Sequence, residues 1–163
     1  MKSPFVRFLL TLNNSYTLFI ASWHMGLMVS VLIFWYPTWI GLTLAGIHEN
    51  FGVPAQIATE VFVILIPIMF ITTTIMIITE WKTALKWPAI CILLGSFGST
   101  IMAKYFLFPL NDIIAAGLPT QAALTETLKK WMVLNDYRVC FSVFTWLSAL
   151  VFFQMKISRS QTS

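Results

Sequence analysis

The chain has 163 residues, of which 58% are hydrophobic and only 10% are charged. Water-soluble domains carry about 25% charged residues, so this sequence lacks the polar surface to cover itself in water, and lipid is its natural solvent. The net charge of +4 does not indicate nucleic acid, because Lys and Arg stand in short groups between apolar runs and not along one face.

Lys2 and Arg7 precede an apolar stretch, as in a signal peptide. The run that follows is too long for such a segment's apolar region and has no clean small-x-small cleavage site, so it is expected to stay as the first span. Four apolar runs follow in chain order, at about residues 17–42, 57–79, 87–108 and 135–155. Each is close to the roughly 20 residues that cover a 30 Å hydrocarbon core. None alternates as a barrel strand does, so the backbone must satisfy itself as helix. The expectation is one all-α integral membrane domain, a four-transmembrane-helix up-down bundle.

Basic residues set the orientation. Lys2, Arg7, Lys82, Lys86, Lys156 and Arg159 fall at the N-terminus, middle loop and C-terminus, against Lys104, Lys129 and Lys130 on the other side. This predicts a cell-membrane protein with both termini cytoplasmic. Trp81 and Trp87 bracket the inner loop, and Trp35, Tyr36, Trp39 and Trp131 are expected as anchors at the outer boundary. His24 falls two turns into the first span on the inner side, where a hydrogen-bonded packing role is the plain reading and a haem or proton-relay role the sharper one. Cys91 and Cys140 fall in opposite leaflets and have no metal-like spacing, so both read as small packing residues.

Two sets of small residues recur at four-residue spacing, Ser22-Gly26-Ser30 in the first span and Gly95-Ser99-Ala103 in the third. Such stripes let helix backbones approach closely, within the bundle or between copies in a homo-oligomer. Pro67 is expected to bend the second span. The inner loop near residues 80–86 is short; the outer ones, about 48–56 and 109–120, are longer and richer in Pro, Gly and polar groups. Thr120 is placed to cap a helix that starts near Gln121 and extends the last span above the membrane.

The chemistry-bearing pattern is in that last helix. Trp131, Asn135, Arg138, Ser142 and Thr145 follow a 4-3-4-3 spacing, which lies along one helix face. A polar stripe of this kind is costly against lipid, so it is expected to face the bundle interior. Arg138 carries the largest cost and needs pairing or hydration; Glu60, Asp112 and Glu49 are its candidate partners. A snorkelling Arg at headgroup depth beside a packing Asn is the plain alternative. His48, Glu49 and Glu60 also stand as a potential base or ligand group, or as wetted loop residues. No spacing matches zinc, a P-loop, a serine triad or a dinucleotide fingerprint.

Pro109-Leu110-Asn111, a short variable stretch, and then Trp131, Asn135 and Arg138 opening the last helix resemble the anthrone oxygenase-like family of small four-span membrane proteins. Gly26 and Pro37 match that family's first span, which contains Gly and ends near Pro. The sequence departs from the pattern at Asp136 and Tyr137, where the family often has a more basic or histidine-bearing stretch. The resemblance implies oxidation of a lipophilic aromatic carbon acid by oxygen. Arg138, Asn135 and Asn111 would then be donors to the developing enolate oxygen, Glu60 or His48 the base, and Trp131 and His48 substrate contacts. It names no cofactor. A non-catalytic scaffold or partner subunit, its polar stripe fixing helix register, is the second reading. A small transporter is the third, disfavoured because no inverted repeat or broken, ionisable midplane helix is present.

Overall fold

A computed structural model describes residues 3–161, so Lys2 of the orientation argument lies outside the described residues. Within them the chain forms four long helices: α1 (Pro4–Trp39), α2 (His48–Thr79), α3 (Lys86–Ala116) and α4 (Gln121–Gln161). All four are long and apolar enough to cross a membrane, and they identify a multi-pass membrane protein. α1 packs on α2 and α4, and α3 packs on the same two helices. The result is an up-down bundle with α2 and α4 on the diagonal.

The helix boundaries differ from those expected. α1 begins at Pro4, thirteen residues before the apolar run, with Ser3 Oγ accepting from Val6 N at 3.3 Å as its cap. Asn13 and Thr17 are the reason the helix is anchored there. Asn13 Nδ2 donates to the Thr72 carbonyl at 3.0 Å, and the Thr17 and Thr72 hydroxyls pair at 2.8 Å. Thr17 is buried and Asn13 and Thr72 are half-buried between the helices, so these polar groups belong to the span. The outer segments expected as loops are helical too: α2 starts at His48, and Pro109-Leu110-Asn111 lies within α3. Gly117, at φ 92°, ends α3 in a conformation that favours glycine. The inner turn at residues 80–85 and the long last helix from Gln121 are as expected, and Thr120 Oγ1 accepts from Ala123 N at 3.2 Å.

Three segments are π-helical: Val31–Trp35, His48–Gly52 and Met102–Leu107. Each ends one residue before a proline pair, Tyr36-Pro37, Val53-Pro54 or Phe108-Pro109. In each pair the N–H of the first residue donates five residues back, to Val31, His48 or Ala103. The proline ring displaces the carbonyl four residues before it and offers that carbonyl no donor. Slipping the ladder by one residue relieves both problems.

Two apolar cores fill the bundle. The inner one centres on Ile20, Met69, Met76, Leu85, Ile92 and Phe152, the outer one on Trp39, Phe51, Leu107, Leu124 and Trp131. Trp39 and Trp131 therefore pack inward, not as lipid-facing anchors, whereas Trp81 and Trp87 are exposed and flank the Lys86 ammonium at 5.4 and 5.1 Å. The α3 stripe is a close contact. A Cβ on Gly95 would collide with Thr145 Oγ1, and one on Gly98 with the Phe141 ring. The α1 stripe is different, because Gly26 has no neighbour within 4 Å and faces outward.

Candidate functional site

Depth in the bundle can be read from two ion-bearing levels. Lys156 Nζ meets Glu80 Oε1 at 3.3 Å at the inner end. Glu60 lies twenty residues before Glu80 on α2, about 30 Å at 1.5 Å per residue, which is the thickness of a hydrocarbon core. Arg138, counted back from Lys156 on α4, lies about 27 Å above that inner level. It sits just beneath the level of Glu60.

A cavity of about 820 Å³ occupies this depth, in the space between the diagonal helices α2 and α4. All four helices line it, mostly with apolar side chains such as Trp23, Met28, Phe62, Ile66, Phe70 and Leu107. Its polar wall is formed by His24, Ser99, Asn111, Asn135 and Arg138, with Lys104 at the exposed rim. The 4-3-4-3 stripe thus faces the interior as its spacing requires: Trp131, Asn135, Ser142 and Thr145 are buried, and Arg138 turns into the cavity. Below the cavity the hydroxyls of Ser142, Thr145 and Ser148 bond back to their own helix at 2.8–2.9 Å.

Two members of the wall are tied to neighbouring helices. Trp131 Nε1 donates to Asn111 Oδ1 at 2.8 Å, and its ring packs edge-on against Trp39 and Phe51, each at 5.3 Å. These three rings close the outer end. Asn135, at 0% exposure, donates from Nδ2 to the Tyr36 hydroxyl at 3.0 Å. That hydroxyl has the Met132 carbonyl at 2.9 Å and Asp136 Oδ1 at 3.0 Å as acceptors.

Two atoms of the wall have no partner. Asn135 Oδ1 and Arg138 Nε are buried without a hydrogen bond. None of the chain's six Asp and Glu residues lines the cavity. This corrects the expected pairing of Arg138. Glu60 is exposed and accepts from Gln56 Nε2 at 3.0 Å, Glu49 and Asp112 are exposed, and Asp136 is engaged with Tyr36. Glu60 and His48 are also not brought to Arg138: His48 is exposed in the first turn of α2, outside the cavity. Of the six residues singled out by sequence, Arg138, Asn135, Asn111 and Trp131 share one wall; Glu60 and His48 do not.

His24 is the residue sequence reasoning placed on the wrong side. Counted from a span starting at Thr17, it falls near the inner boundary. Because Thr17 sits level with Thr72, His24 lies about 10 Å further out. There it packs edge-on to Phe62 at 5.0 Å and comes within electrostatic reach of Arg138. The half-buried Asn13 and the buried Thr17 were the signal for this register. Among the described residues no three His, Cys, Asp or Glu side chains converge as a metal site would require. Compared with family models, curated proteins and solved structures, the chain matches none of them.

Proposed function

We propose that the cavity takes up a flat lipophilic molecule from the bilayer and holds its oxygen on Arg138 and Asn135. The observation that carries this reading is a guanidinium turned into a cavity that offers it no carboxylate. A buried cation costs several kcal/mol unless something in the site compensates it, and a ligand oxygen is a fitting compensation. The volume falls within the roughly 300–1,000 Å³ of small-molecule sites.

The resemblance to anthrone oxygenase-like proteins supplies a reaction for such a ligand. His24 is the cavity's one imidazole and replaces Glu60 and His48 as the proton acceptor. It would take a proton from the methylene carbon of an anthrone while Arg138 and Asn135 stabilise the enolate oxygen. Oxygen is then the oxidant. One of its atoms becomes the new carbonyl oxygen, and the other leaves with the two methylene hydrogens as water. Oxygen consumption by purified protein with an anthrone tests this. Loss of one oxyanion donor costs about 10²–10³-fold, so Arg138→Leu should lower turnover by that order at unchanged protein level. Unchanged turnover removes the reaction.

A non-catalytic scaffold is the second reading, favoured by Trp131–Asn111 and Asn135–Tyr36, whose polar atoms already hold helix to helix. It predicts that Arg138→Leu lowers the yield of folded protein and leaves no turnover to lose. In either case the location proposed is the cell membrane, with both termini cytoplasmic.

A further inference from the structure

We infer that the ligand of this cavity is an amphiphilic anion, an apolar body ending in one oxyanion, which reaches Arg138 sideways from the bilayer past α2. The inference rests on the reading of the cavity as a ligand site and adds the charge and the route.

The charge follows from the wall. Arg138 and Lys104 are both cations, and no carboxylate lines the cavity with them. Every acidic side chain that sequence position made available to Arg138 is exposed or bonded elsewhere. A neutral carbonyl satisfies a guanidinium's donors but leaves its charge buried. An oxyanion does both, through a charge-assisted hydrogen bond about twice as strong as a neutral one. A small inorganic anion fits poorly, because the rest of the wall is apolar and 820 Å³ is far more than one ion occupies.

The route follows from α2. The three aromatic rings of Trp39, Phe51 and Trp131 close the outer end, and the inner core lies beneath. The mouth lies along α2, whose lining residues Ile57, Val63 and Pro67 are also exposed, between the exposed Trp23 and Trp35 of α1 and Lys104 of α3. An apolar body therefore passes between bilayer and cavity without crossing a polar layer. Carboxylate and enolate or phenolate groups share this chemistry.

The test uses the whole protein in lipid nanodiscs with cis-parinaric acid and its methyl ester, read by energy transfer from tryptophan, since Trp23, Trp35, Trp39 and Trp131 line the cavity. The acid should bind saturably and at least tenfold more tightly than the ester, with oleate competing and methyl oleate not. Arg138→Gln should bring acid and ester to the same affinity, and Arg138→Lys should keep a preference for the acid. Equal binding of acid and ester to the unmodified protein overturns the inference, as does no binding of either. A preference that persists in Arg138→Gln overturns the role of Arg138. Should Arg138→Gln fail to fold, the ester comparison on the unmodified protein and on Arg138→Lys still decides. Acid preference without anthrone turnover refutes only the reaction proposed above. Anthrone turnover without acid preference refutes only this inference.

Discussion

Replacing Tyr36 by Phe removes one hydroxyl and leaves the ring, so its effect isolates the polar contact between α1 and α4. The hydroxyl accepts from Asn135 Nδ2 at 3.0 Å and gives its single proton to Met132 O or Asp136 Oδ1. Two interhelical hydrogen bonds are therefore lost at any moment. Such bonds average about 0.6 kcal/mol in membrane proteins and reach about 1.7, so Tyr36→Phe should cost about 1–3 kcal/mol. The upper part of that range is expected because Asn135 is fully buried, its Oδ1 already lacks a partner, and the variant removes the amide's remaining bond. Asn135→Leu removes the donor from the other side. The double variant should then be less destabilised than the sum of the two, by about 0.5–1.5 kcal/mol. Reversible unfolding in mixed mild detergent and dodecyl sulfate, followed by tryptophan fluorescence, measures all three. Additivity within about 0.3 kcal/mol would refute the direct bond and the register assigned from it.

Two further outcomes follow from the packing and the topology. Gly95→Ala should destabilise by about 1–3 kcal/mol, because its Cβ would meet the Phe141 carbonyl at 3.2 Å as well as Thr145. Gly26→Ala, with nothing within 4 Å, should instead be neutral or stabilising by up to about 1 kcal/mol; melting temperatures in the reverse order would sink this assignment of packed and open stripes. In a variant lacking Cys91 and Cys140, a cysteine at Thr43 should react with a membrane-impermeant maleimide in intact cells, and one at Gln161 only after permeabilisation. The opposite pattern inverts the proposed orientation.

The four spans and the inward polar stripe were legible because both depend on one-dimensional properties, the length of apolar runs and the 3.6-residue period. The start of α1 at Pro4 was not. Asn13 and Thr17 count as polar in any hydropathy reading, yet in the fold both lie against α2 and are bonded to Thr72, and satisfaction by a partner helix leaves no trace in local sequence. That single displacement carried His24 to the wrong end of the span. Pro109 misled differently. A proline near the end of a hydrophobic run marks a loop when the helix stops, but not when the ladder slips to five residues and resumes, as it does through Asn111. For Arg138 the sequence points to an acidic partner, because a paired charge is the usual solution for a buried cation. The side chains turned toward it could be chosen only once the rotation of α2 had shown Glu60 facing outward.

The prolines also explain why the cavity lies in the outer half of the bundle. Pro37, Pro54 and Pro109 all lie at the outer end of their helices, each behind a wide turn, and each turn or its proline feeds the cavity wall through Val31, Pro54 or Ala103. The inner halves of α3 and α4 approach closely at Gly95 and Ala89, with Ala149 and Phe152 filling the seam. Small residues bring backbones together there, while extra-residue turns hold them apart above. Beneath the cavity lies the inner core, in which Ile20, Met69 and Ile92 are no more than 1% exposed. Carriage of a molecule through the protein would require that close-packed core to open. On the reading proposed above, a ligand that reaches Arg138 past α2 leaves by the same side, and the site serves binding or chemistry in place.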